Sequence, residues 1–159
     1  MGDGLTIRRA AEEDYESVRV LEELEFQMHR AARPDYFKEA AETYGRGEFL
    51  GLLSMPCPIA WLAEWSGQVV ALCLGKIGRS TESEICKSRK VASVEDLVTL
   101  PEFRGRGIGT ALLERAREQA REEGAESLEL HVWDFNHSAI RLYKRAGMRV
   151  QYYRMEEPL

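Results

Sequence analysis

The sequence predicts an α/β (α+β) fold: a mixed, mostly antiparallel sheet with helices on both faces, in one domain spanning residues 1–159. Three observations carry that prediction. Strand-like and helix-like runs follow the order β-α-α-β-β-β-α-β-α-β, which suits a mixed sheet covered on both sides. The length, 159 residues, is enough for one domain with its own core. Near the middle, an apolar run rich in β-branched residues leads through a glycine-rich turn into a long amphipathic helix.

The elements follow in order. Leu5 to Arg9 alternates apolar and polar residues, as a short strand does. Ala11-Glu12-Glu13-Asp14 opens a helix with acids where the dipole favours them, and Val18, Leu21, Leu24 and Met28 form its buried stripe. Pro34 and Asp35 predict a second helix running to about Tyr44, with Gly45 as its stop. Its aromatics Tyr36, Phe37 and Tyr44, near His29, either pack in the core or wall an acceptor pocket. Pro56-Cys57-Pro58 is a rigid break. Ile59 to Trp65 and Gln68 to Lys76 read as strands joined by a Ser66-Gly67 hairpin turn. Gly78 to Lys90 is polar and aperiodic, a loop. Val94 to Leu100 is a strand ended by Pro101, and the helix after the glycine turn runs to Gly124 with Glu114–Arg117 and Glu118–Arg121 pairs on its wet face. Ser127 to Val132 predicts a strand, His137 to Ala146 a short helix closed by Gly147, and Met148 to Met155 a last strand.

The glycine turn carries the chemistry. A helix start has backbone N–H groups without partners and a partial positive charge. Gly105, Gly107 and Gly109 let a ligand approach the main chain closely. Strand, turn and helix start therefore form an anion site suited to phosphate or pyrophosphate, with Arg104 and Arg106 adding charge. A Walker loop is excluded because the turn holds no lysine. A dinucleotide-binding fingerprint is excluded because Gly105-Arg106-Gly107 is followed by Ile108, Gly109 and Thr110, which breaks the spacing.

Composition narrows the function classes. The formal net charge of −5 disfavours duplex DNA and is compatible with a cationic small substrate. No apolar run is long enough for a membrane span and the start lacks a signal-peptide pattern, so neither membrane nor export is expected. Cys57, Cys73 and Cys86 are odd in number and lack C-x-x-C spacing, as expected of free thiols in a reducing, cytoplasmic setting. His29, His131 and His137 are scattered, without partners at ligand spacing, and no metal is expected.

Two motifs carry a family resemblance. Arg104-Gly105-Arg106-Gly107-Ile108-Gly109 matches [RQ]-x-x-G-x-[GA], and Asn136, Ala139, Tyr143, Lys144, Gly147 and Met148 spell N-x-x-A-x-x-x-Y-K-x-x-G-M after a strand. Together they resemble the pyrophosphate loop and C-terminal signature of the GNAT superfamily of acyl-CoA N-acyltransferases, with local likeness to small diamine and polyamine acetyltransferases. The resemblance implies a GNAT-like fold and acetyl transfer from acetyl-CoA to a primary amine, either a small cationic amine or a protein N-terminus or lysine. An acyl-CoA-binding sensor without turnover is the non-enzymatic alternative. The resemblance also allows a homodimer. It implies that the backbone of Leu97, Val98 and Thr99 pairs with the pantetheine arm, that amides of Gly105, Arg106, Gly107, Ile108, Gly109 and Thr110 hold the pyrophosphate, and that Asn136 binds the cofactor. Arg104 and Arg106 either touch its phosphates or face water. Tyr143 would sit by the thioester sulfur and protonate the leaving thiolate. Glu95 is the candidate base, or else a carboxylate that binds the cationic acceptor; alternation along the strand predicts Asp96 on the opposite face.

Overall fold

A computed structural model describes residues 4–40 and 43–159, and its centre is one sheet of five strands. These are β1 (Leu5–Arg9), β2 (Pro58–Trp65), β3 (Gln68–Arg79), β4 (Lys90–Thr99) and β5 (Ser127–Leu130), paired in that spatial order. Every pair is antiparallel except β4–β5, which is parallel. Helices α1 (Tyr15–Ala32) and α2 (Arg46–Leu53) lie on one face, and α3 (Ile108–Glu122) and α4 (His137–Arg145) on the other.

Strands β2 and β3 are buried over their middle residues because both faces are covered there. The hairpin joining them turns through Ser66 (φ 51°) and Gly67 (φ 83°), both left-handed, as a two-residue turn between twisted strands requires. One half of the core packs Trp61, Cys73, Ala92 and Val94 under Ile108, Leu112, Leu113 and Ala116 of α3. The other packs Leu62, Leu72, Leu74 and Val98 under Val18, Leu21 and Phe49. Buried Gln119 of α3 is satisfied on both sides: it accepts from Trp61 Nε1 at 2.8 Å and donates to the Pro58 carbonyl at 3.0 Å.

Three expectations are corrected. The helix expected from Pro34 to Tyr44 is a turn at its start; its residues 41 and 42 lie outside the described residues. The Arg33 carbonyl accepts from both Tyr36 N and Phe37 N at 3.0 Å, and the two aromatic rings pack against Trp133 instead of continuing a helix. The second helix begins after Gly45, which is its N-cap and not a stop. Finally, β5 ends at Leu130, and residues 148–155 join no ladder among the described residues. Side chains hold that segment: His131 Nε2 lies 3.2 Å from Tyr152 Oη, and Arg33 pairs with Glu156 at 2.8 Å.

Candidate active site

The site is built on an irregularity in β4. Strict alternation would put Glu95 and Asp96 on opposite faces, but Val94 and Leu97, three residues apart, both pack on the α3 side. That requires an inserted residue. The register supplies it: Leu74 faces Asp96 while Gly75 faces Val94, so Glu95 is the extra residue of a bulge. Gly75 makes room, because a Cβ there would lie 2.0 Å from the Ser93 carbonyl oxygen. Glu95 and Asp96 consequently both lie on the α1 side. Glu95 is half exposed and pairs with Lys76 Nζ of the neighbouring strand at 2.7 Å. Asp96 turns towards α1.

The bulge coincides with a parting of strands. β4 and β5 pair from Val91–Ser127 to Val94–Leu130 and no further, whereas β3 stays paired to β4 as far as Thr99. The edge of β4 that carries Leu97, Val98 and Thr99 therefore has no strand partner on the β5 side among the described residues. A cleft of about 330 Å³, lined by Ser93, Val94, Glu95, Glu129, Leu130 and His131, opens at this parting.

The glycine turn stands at the end of the same strand. Gly105 (φ 75°) and Gly107 (φ 81°) are left-handed, and Gly107 is the N-cap of α3. The first amide to close a helical turn is Ala111 N, on the Gly107 carbonyl at 3.0 Å. The amides of Ile108, Gly109 and Thr110 precede it and project from the helix end. Arg104 and Arg106 are folded against the protein: Arg104 Nε donates to the Thr99 carbonyl at 3.0 Å, and the Arg106 guanidinium lies 5.2 Å from both the Trp65 and Phe103 rings. Gly109 abuts Leu142 of α4, whose methyl would be 3.1 Å from a Cβ at that position. That contact docks α4 over the helix start. Asn136 caps α4, its Oδ1 accepting from Ala139 N at 3.2 Å and from Ser138 Oγ at 3.1 Å.

Tyr143, two turns along α4, packs on the α3-side core, and its phenol is held well above the usual range, first by burial and then by Glu25, Cys73 and Asp96. Residues from both sides of the sheet thus meet at the parting. On the α1 side the carboxylate oxygens of Glu22, Glu25 and Asp96 lie within 4.8 Å of one another. Glu22 is only 8% exposed. Burial, then the Asp96 charge, pushes Glu25 up to about 8. Glu22 is raised to about 9 by burial, then Asp96, Glu25 and Glu48, and Asp96 to about 6 by burial, then Glu95 and Glu48.

Glu22 and Glu25 escape the sequence reading, yet they carry a signal. With Val18 and Leu21 they follow the i, i+3, i+4, i+7 spacing of a buried helix face, so acids stand where core residues belong. His29, next on that stripe, stacks with Phe37 and meets Phe135 edge-on, and Tyr36, Phe37, Trp133 and Phe135 form a continuous aromatic wall beside the acids. Burial lowers the His29 pKa, so the ring is neutral near pH 7.

A parted parallel strand pair, a glycine-started helix and a capped Asn-to-Tyr helix match a known family. The family model described as the acetyltransferase (GNAT) family matches residues 17–148. The chain belongs to that family. This acetyltransferase is 32% identical over 142 residues to an uncharacterized N-acetyltransferase, MJ1207, of Methanocaldococcus jannaschii, an alignment covering 89% of the chain and 59% of that protein. It is 32% identical over 154 residues to an uncharacterized N-acetyltransferase of Archaeoglobus fulgidus, covering 91% and 93%. Among solved structures, a tetramutant of the BH1408 protein of Bacillus halodurans superposes with a TM-score of 0.90 at 26% identity, covering 97% and 99%. A shorter match, 34% identical over 98 residues, is to the aminoalkylphosphonate N-acetyltransferase of Salmonella typhimurium, 62% of the chain and 61% of that enzyme. Among the described residues, no helix is long and apolar enough to cross a membrane.

Proposed function

We propose that this enzyme transfers the acetyl group of acetyl-CoA to the primary amine of a small, positively charged acceptor by direct attack in a ternary complex. The observation that carries the reading is the meeting of Tyr143 with buried carboxylates at the end of β4's unpaired edge. The free edge at Leu97, Val98 and Thr99 suits an extended amide-bearing arm added like a strand. The projecting amides from Gly105 to Thr110 suit a pyrophosphate, and Asn136 orients α4 between them. Acetyl-CoA brings an acetyl group activated as a thioester.

The acceptor arrives as an ammonium, because alkyl amines have pKa values near 10. It must lose a proton before nitrogen can attack. Glu95 and Asp96 are the bases at hand; Glu95 is engaged by Lys76 at 2.7 Å, whereas Asp96 has no basic partner among the described residues and burial raises its pKa to about 6. Asp96 takes the proton and Glu95, at the mouth, passes it to water. A C–N bond forms as the C–S bond breaks, the Tyr143 hydroxyl donates its proton to the leaving thiolate, and the proton that the acylated nitrogen sheds returns the phenolate to the phenol. One proton is released per amide formed. A phenol in a site surrounded by carboxylates stays protonated at neutral pH and is therefore ready to donate.

The test is an acceptor screen with acetyl-CoA that reads thiol release across small amines, aminoglycosides, lysine-bearing peptides and free N-termini. Turnover with small cationic amines, rising with pH, is the expected result. Thiol release only with peptides would replace the acceptor class, and none with any amine would leave a binding module.

A further inference from the structure

We propose that Glu22 and Glu25 of α1, with Asp96 of β4, form a cation-binding well within the acceptor site, so that the preferred acceptor carries a second positive charge besides the reacting amine and no anionic group. This rests on the amine-acetylating reading above and extends it to Glu22 and Glu25, which lie outside the transfer machinery, with Asp96 shared between the two.

Three carboxylates whose oxygens lie within 4.8 Å of one another repel when charged, and burying them carries a large desolvation cost unless something compensates. Among the described residues no basic side chain and no hydrogen-bond donor does so. Glu22 Oε1 and Glu25 Oε2 are fully buried and have no hydrogen-bond partner among the described residues. No lysine or arginine pairs with Glu22, Glu25 or Asp96 among those residues. Glu22 is more than nine-tenths buried, and its carboxylate, which belongs to the cluster, carries an unpartnered oxygen that a cation would satisfy.

The surrounding charges extend the well. From α1 come Glu22 and Glu25, from α2 Glu48, from β4 Glu95 and Asp96, from the segment before α2 Tyr44, from α4 Tyr143 and from β3 Cys73 and Lys76. Lys76 is the one cation in that set and is engaged by Glu95. Tyr143 senses Glu25 and Asp96, while Tyr44 senses Glu22, Asp96, Glu48 and Glu95. The acids thus run from the reacting end towards α2, giving a second ammonium a place beyond the first. A carboxylate or phosphonate on the acceptor would face this same row and be repelled.

The experiment compares 1,4-diaminobutane, n-butylamine and 4-aminobutyrate as acceptors for the wild type, Glu22→Gln and Glu25→Gln, with binding of 1,4-diaminobutane alone followed by calorimetry in two buffers of different ionisation enthalpy. The expected wild-type order is diamine over monoamine over zwitterion. In the glutamine variants kcat/KM for the diamine should fall roughly tenfold or more, mainly through KM. The monoamine should change much less, and the thermal midpoint near neutral pH should rise because folding no longer has to protonate a buried acid. Diamine binding to the wild type should release protons. An unchanged diamine-to-monoamine ratio in both variants, or a preference for 4-aminobutyrate, would overturn the proposal. So would tight binding of Mn²⁺ alone that the diamine does not displace. Failure of every amine to release thiol would instead strike at the amine-acetylating reading; binding of the diamine, with proton release, would still support the well.

Discussion

Tyr143 and Gly75 show how much a single position decides. Tyr143→Phe keeps the ring that packs against the α3-side core and removes only the hydroxyl. If the phenol protonates the leaving thiolate, kcat falls by roughly 10²–10⁴ while acetyl-CoA affinity is nearly unchanged. A kcat within about threefold of wild type, far short of that loss, would assign Tyr143 to packing. Gly75 is fixed by space: the Ser93 carbonyl occupies the position of any Cβ. Gly75→Ala should straighten or shift the bulge, lowering stability by at least about 1–3 kcal/mol, the usual range for an overpacked site. It should also cost turnover, because Glu95 and Asp96 lose their common face. Denaturant unfolding and kcat/KM of the variant check both effects.

At the scale of elements, the start of α3 is proposed as the pyrophosphate cradle: two left-handed glycines precede it, and Leu142 braces α4 over Gly109. Gly107→Glu would place a carboxylate at that start and a Cβ on a backbone at φ 81°, which L residues adopt only with strain. Calorimetry should find acetyl-CoA binding lost in this variant; unchanged affinity would move the pyrophosphate elsewhere. The strand–turn–helix unit was legible in the sequence because its signals are local: β-branched residues, spaced glycines, then helical periodicity. The helix expected after Pro34 was not, because Tyr36 and Phe37 are captured by Trp133, about a hundred residues away in sequence.

For the whole molecule, the buried acids tie stability to pH. Glu25 ionises near 4.5 in the unfolded chain and near 8 when folded. Between those values the folded state holds a proton that the unfolded chain has lost, so stability falls as pH rises. Glu22 acts in the same direction. The thermal midpoint should therefore drop from about pH 5 to pH 8, and Glu22→Gln with Glu25→Gln should flatten that slope. A midpoint rising across this window would mean that the well is solvated or paired. A diamine that binds the well should raise the midpoint most at the alkaline end, where the carboxylates are charged.

The sequence alone determined the class of fold, the glycine-started helix, the placement of Asn136 two turns before Tyr143, and thereby the family, since each depends on neighbours within a few turns of chain. It also carried acids into the buried stripe of α1, although spacing by itself could not say what they face. Tertiary structure decided that Glu95 and Asp96 share a side, because a bulge inserts one residue and cancels the alternation on which strand faces are predicted. It also decided that Glu22 and Glu25 of α1, Asp96 of β4 and Tyr143 of α4 converge at the parting of β4 and β5. That convergence depends on the crossing of segments far apart in sequence, and no local period encodes it.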